Sequence, residues 1–291
     1  MALRLLSAAV GIPVLFAAIW YGDVWLVLLV AIAALLGLAE FYRLAPGPSR
    51  GLAASAGARP AATLGFLWAL ALVLAAPAAA GDGPSLLLSD QPHLFLTVLA
   101  GGLLATLAWS IFSRREAALK DVAAGWAFTV AGALYVGLLA YALMLRYVGD
   151  GPPFTEGRNW LLFAVFTTFA TDTGAFFVGR LIGKRPLAPT ISPKKSQEGA
   201  LAGLVAAVGA ALALGALLDL PAAAWQQAMV GLVVGVVAQV GDLAESMLKR
   251  SAGAKEAGGL IPGHGGVLDR LDSLLFALPV VYYVVVLALG R

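Results

Sequence analysis

The chain has 291 residues, of which 61% are hydrophobic and 12% charged, with a mean hydropathy of +0.91. Soluble domains carry about 25% charged residues, so a single water-facing globule of this length could not cover so much apolar surface. The absence of cysteine, with only His93 and His264 as imidazoles, excludes disulfides, thiolate chemistry and a multi-histidine zinc site; the net charge of +3 is read through its placement, and points to no nucleic acid.

A helix needs about 20 apolar residues to cross about 30 Å of hydrocarbon. The first such run, 5–21, follows Met1-Ala2-Leu3-Arg4 and has the outline of a signal sequence, but lacks a small-residue cleavage site, which predicts a retained first span. A second run covers 24–41, with Glu40 read as a solvated helix end. Runs at 61–80, 94–112 and 122–145 follow, with His93 at the outer edge of the fourth and a connector from Gly149 to Asn159 after the fifth. The last four runs are 160–182, 199–219, 226–248 and 267–289, and three of them carry ionisable residues. The pattern predicts an all-α, polytopic integral membrane protein of about nine transmembrane helices. Abundant small residues, including 34 glycines, suit close helix packing in lipid. Residues 1–150 are expected to serve packing, with dimerisation or lipid access as further roles, and 151–291 to form a catalytic region with cytoplasmic loops.

Cation placement predicts the orientation. One side of a nine-span chain holds fifteen lysines and arginines, among them Arg43, Lys120, Arg180, Lys184, Arg185, Lys194, Lys195, Lys249, Arg250 and Lys255. The other side holds Arg146, Arg158 and Arg291, and Arg270 lies at the start of the last span. This bias puts the N-terminus in the cytoplasm and the C-terminus outside.

The polar clusters lie in the second half. Asp172, within Thr171-Asp172-Thr173-Gly174, is a carboxylate inside a span and is expected to face a polar cavity or a cation on another helix. The next loop, with Lys184, Arg185 and Ser192-Pro193-Lys194-Lys195-Ser196-Gln197-Glu198-Gly199, reads either as a phosphate cradle or as a loop that sets topology. Asp242, Glu245, Ser246 and Lys249 recur at helical spacing on one face, which suits either a cation bound beside a polyphosphate or an internal salt-bridge ladder. Asp269 and Asp272, after the glycines around His264, can point at one site, and hard oxygen ligands suit magnesium.

Residues 246–272 resemble the signature of the phosphatidate cytidylyltransferases, or CDP-diacylglycerol synthases. The family pattern runs Ser-x-x-Lys-Arg, four residues, Lys-Asp, a short spacer, then Pro-x-His-Gly-Gly-x-x-Asp-Arg-x-Asp. The match falls at Ser246, Lys249, Arg250, Lys255, Pro262, His264, Gly265, Gly266, Asp269, Arg270 and Asp272, with Glu256 where the family has aspartate. Ser192-Pro193-Lys194 and Glu198-Gly199 also resemble the family, and the likeness covers residues 160–289.

The resemblance implies that CTP and phosphatidate react at the cytoplasmic face of the inner membrane. It assigns Asp242 and Asp269 to Mg²⁺, with a second cation such as K⁺ beside it. Lys194, Lys195, Lys249, Arg250 and Arg270 would bind phosphates, while Asp172, Glu198 and Asp272 would orient those cations. Ser192, Ser196, Ser246, Lys255, His264, Gly265 and Gly266 are expected against substrate, and a homodimer is the expected assembly. Three rivals are a transporter with a midplane ion path through Asp172 and Asp242, another CTP-using lipid enzyme, and an inactive scaffold.

Overall fold

The computed structural model describes residues 2–45, 60–79, 93–113, 119–149, 153–260 and 265–290. His264, Arg50, Arg59, Arg114, Arg115 and Arg291 lie outside the described residues. The first half contains α1 (Ala2–Tyr21), α2 (Asp23–Arg43), α3 (Ala62–Ala79), α4 (Leu94–Ser113), α5 (Leu119–Gly137) and α6 (Ala140–Arg146). The second half contains α7 (Thr155–Ile182), strands β1 (Pro186–Ala188) and β2 (Ser192–Ser196), α8 (Gln197–Leu217), α9 (Ala224–Ser251) and α10 (Leu268–Tyr283), which ends in a π turn at Val284–Ala288.

The protein is all-α and polytopic, as its hydropathy requires. Among the described residues, seven helical segments are long and apolar enough to cross a membrane: Asp23–Arg43, Leu94–Phe112, Leu119–Arg146, Thr155–Ile182, Gln197–Leu217, Ala224–Ser251 and Leu268–Ala288. Ala9–Tyr21 and Ala62–Ala78 are shorter apolar helices. The expected fifth span is interrupted at Leu138 and Leu139, where α5 gives way to α6. The loop after α7 is more ordered than its sequence suggested. It forms an antiparallel hairpin pairing Pro186 with Ser196 and Ala188 with Ser192, with an irregular register between them.

α7 packs on α8, α9 and α10, α9 packs on α8 and α10, and α10 also packs on α2 and α6. The buried positions of α8 are Gly199, Gly203, Ala207, Ala211 and Gly215, one small residue per turn. This stripe lets backbones approach closely, the main source of helix association where lipid cancels the hydrophobic drive. A Cβ built on Gly203 would stand 3.0 Å from the Thr171 carbonyl oxygen. Buried hydroxyls in α7 bond back to their own helix, Thr168 to the Ala164 carbonyl and Thr171 to the Thr167 carbonyl, both at 2.8 Å. The threonine-rich run therefore crosses the interior without unpaired donors at those two positions. At the opposite end of the bundle, Arg146 is 4% exposed and donates to the Phe154 carbonyl at 2.9 Å. The Gly22 turn between α1 and α2 (φ +66°) lies against the same guanidinium and leaves no room for a side chain.

Candidate active site

The helical spacing of Asp242, Glu245, Ser246 and Lys249 puts all four on the face of α9 that meets α10 and the hairpin. Glu245 is fully buried and forms an ion pair with Lys249 one turn on. Lys249 also donates to Oδ1 of Asp269 at 2.6 Å, so one ammonium group sits between two carboxyl groups from different helices. Oδ2 of Asp269 accepts the amides of Gly266 at 2.8 Å and Ala257 at 3.1 Å. Those bonds hold Ala257 and Gly266 against the first turn of α10. Gly265 serves the bend with φ +85°, a left-handed conformation that costs glycine least.

A second group lies beside the first. Lys195 of β2 reaches across to Oδ2 of Asp242 at 2.5 Å, and the Ser246 hydroxyl makes only a long contact, 3.5 Å, with Oδ1. The Ser273 hydroxyl donates to Asp172 at 3.3 Å, and the Ser273 amide donates to Asp272 at 2.7 Å. Asp172 and Asp272 both lie within electrostatic range of Asp242, with Lys195 and Arg270 facing Asp172 as counter-charges. Three acids thus share one region, with Lys195, Arg270 and Lys249 as the cations that act on them.

Around this acidic region the rim is basic. Lys194, Arg250, Lys255 and Arg270 are exposed. Arg250 ties the hairpin turn to the end of α9 through the carbonyls of Ile191, at 3.4 Å, and Ala254, at 3.1 Å. Glu198 accepts the backbone amides of Lys184, at 3.1 Å, and Arg185, at 3.2 Å, so it shapes the loop backbone. The Ser196 hydroxyl accepts the Gly199 amide at 3.1 Å and caps α8, while Ser192 opens β2.

The structure therefore gathers Asp172, Lys195, Asp242, Ser246, Lys249, Asp269, Asp272, Gly265 and Gly266 at one end of the bundle. It gives Asp242 and Asp269 different partners, Lys195 for the first and Lys249 with two amides for the second. Glu245, expected on this face of α9, is fully buried, and two residues outside the expected set, Ser273 and Glu40, also bond to the cluster or to the start of α10. The expectation of a solvated Glu40 is corrected, because the residue is 0% exposed and accepts the Leu268 amide at 2.7 Å. Its signal was present in the sequence as a carboxyl group on an apolar span, which by itself warrants a functional reading.

Among the described residues, no three acidic or imidazole groups form a ready-made metal cage. The donor set nevertheless suits a hard cation. Every available ligand is oxygen, Oδ1 of Asp242 has only its long serine contact, and Asp172 is exposed. Magnesium keeps several waters and takes one or two carboxylates plus substrate phosphates, a mode these residues fit.

A family model described as the cytidylyltransferase family matches residues 2–288. A phosphatidate cytidylyltransferase of Synechocystis sp. is 33% identical over 315 aligned positions, covering 98% of this chain and 97% of the relative. One from Staphylococcus saprophyticus is 41% identical over 146 positions, 48% of this chain and 56% of its own. One from Brucella suis is 37% identical over 187 positions, 64% of this chain and 67% of its own.

Proposed function

The chain belongs to the cytidylyltransferase family, and from that membership we propose that it joins CTP to phosphatidate, giving CDP-diacylglycerol and pyrophosphate. It is a nucleotidyltransferase. In the proposed reaction a phosphate oxygen of phosphatidate attacks the α-phosphorus of CTP. The new P–O bond forms as the bond to the bridging oxygen of the β-phosphate breaks, and pyrophosphate departs with that electron pair. The nucleophile is already anionic, so the chain has to supply position and charge neutralisation rather than a general base.

The observation that carries this reading is the meeting of the hairpin lysine, the α9 face and the α10 acids at one basic-rimmed end of the bundle. Lys194, Arg250, Lys255 and Arg270, exposed there, would take the triphosphate and the lipid phosphate. Lys195 would exchange Asp242 for a phosphate oxygen, and Lys249 is held by its two acids in a fixed place. Asp242 would hold Mg²⁺ through Oδ1, and Asp269 through an oxygen it shares with Lys249 or with the amides it already accepts, with a second cation such as K⁺ beside it; bound there, the ion supplies neutralising charge to the phosphates. The acyl chains would remain in lipid. The cation bias supports a site on the cytoplasmic face of the inner membrane, with nine spans, the N-terminus inside and the C-terminus outside. A homodimer completes the proposal.

The test is purified protein in liposomes containing phosphatidate, supplied with CTP labelled at the α-phosphorus. Labelled CDP-diacylglycerol and equimolar pyrophosphate are expected, abolished by a chelator and restored by Mg²⁺. Label on a different lipid phosphate would refute the substrate assignment. Ion flux without nucleotide would favour the transporter instead.

A further inference from the structure

α10 begins without a cap of its own. Its N-cap residue is Val267, whose side chain cannot accept a hydrogen bond, and the first-turn amides of a helix need acceptors. The acceptor comes from 228 residues away in the chain: Oε2 of Glu40 takes the Leu268 amide at 2.7 Å. The carboxyl group also lies directly against Gly258 and Gly266, where any side chain would collide with it. The Leu268 side chain is fully buried, and a Cβ on Gly37, one turn back from Glu40, would touch it at 3.6 Å. The next residue is Asp269, whose carboxyl group depends on the Gly266 amide and in turn fixes Lys249.

We propose that Glu40 is a positioning residue for the transfer reaction: from α2 it holds Gly258, Gly266 and the first turn of α10, and so the places of Asp269, Arg270 and Lys249. This rests on the nucleotidyl-transfer reading for its kinetic consequence, but its structural consequence is independent of that reading. An acidic side chain near a helix N-terminus is also favourable to the helix dipole. Displacement of a reacting group by about 1 Å through a remote change can lower turnover by about 100-fold.

Glu40→Ala is expected to lower kcat by about 100-fold while leaving KM for phosphatidate within about threefold. Glu40→Gln, which keeps an acceptor oxygen, should retain most turnover. Gly258→Ala, which pushes the carboxyl group away without removing it, should reproduce the Glu40→Ala loss. It also serves as the test should Glu40→Ala fail to accumulate as folded protein. Amide hydrogen exchange at 257–260 and 265–272 should accelerate in Glu40→Ala and Gly258→Ala but not in Glu40→Gln, with α8 unchanged. Unchanged exchange in the first two variants, or equal losses of turnover and melting temperature in Glu40→Ala and Glu40→Gln, would overturn the proposal. A wild type that makes no CDP-diacylglycerol would instead defeat the reaction assignment, and the exchange comparison would still decide the role of Glu40.

Discussion

Lys249 is held by acids on two helices, and each member of the triad answers to the others. Its side chain is 11% exposed, against 0% for Glu245 and 7% for Asp269, so little solvent screens the group. Lys249→Met would leave two buried carboxyl groups without their cation, and breaking a buried pair from one side costs about 3–5 kcal/mol. Thermal melting in detergent should show that loss, and a wild-type melting curve would contradict the buried triad. Asp269→Asn retains the shape but removes charge. Its turnover should fall by at least about 100-fold with a smaller change in melting, as for loss of one preorganised electrostatic group. Magnesium-dependent activity at the wild-type level in Asp269→Asn would refute its assignment to the cation. The residues of the triad were legible to different degrees. Lys249 and Asp269 stand in the signature, whereas Glu245 showed itself only as a member of a helical face, and its burial follows from α10 packing on α9.

The buried face of α8 is made of small residues, with glycine or alanine at every buried turn from Gly199 to Gly215. Gly203 has no spare room beside the Thr171 carbonyl, whereas nothing lies within 4 Å of a Cβ on Gly209 in the same helix. Gly203→Val should therefore overpack the α7–α8 contact and cost about 1–3 kcal/mol. Gly209→Ala should be neutral or stabilising by up to about 1 kcal/mol, through helix propensity. Melting temperatures of the two variants check the contrast, and equal effects would contradict the stripe. Hydropathy located this helix within a few residues, because length and apolarity are local properties. The hairpin was not legible. Pro186, Pro193 and two lysines read as loop, and the bonds that Glu198 and Ser196 make to backbone amides beside the β1–β2 pairing leave no periodic signal in the sequence. The break at Leu138 and Leu139 was hidden for the opposite reason, since both flanks are equally apolar.

At the scale of the whole molecule, one buried cluster runs from Ile19 and Leu26 through Leu143 and Phe163 to Leu268 and Val285. Sequence motifs divided the chain into a bland first half and a reactive second half, because chemistry-bearing residues crowd into 172–272. Glu40 does not respect that division, and no spacing rule could tie it to a residue 228 positions later. The carboxyl group that completes α10 thus arrives on a different stretch of polypeptide from the signature itself. Residues 151–291 expressed alone would keep every letter of the motif yet lack the acceptor that starts its last helix. Supplying residues 1–150 as a separate chain should restore transfer, and the same complement carrying Glu40→Ala should fail. Evolutionary exchange of one half for a foreign membrane segment would then succeed only where the incoming helix carries an acid at the matching height.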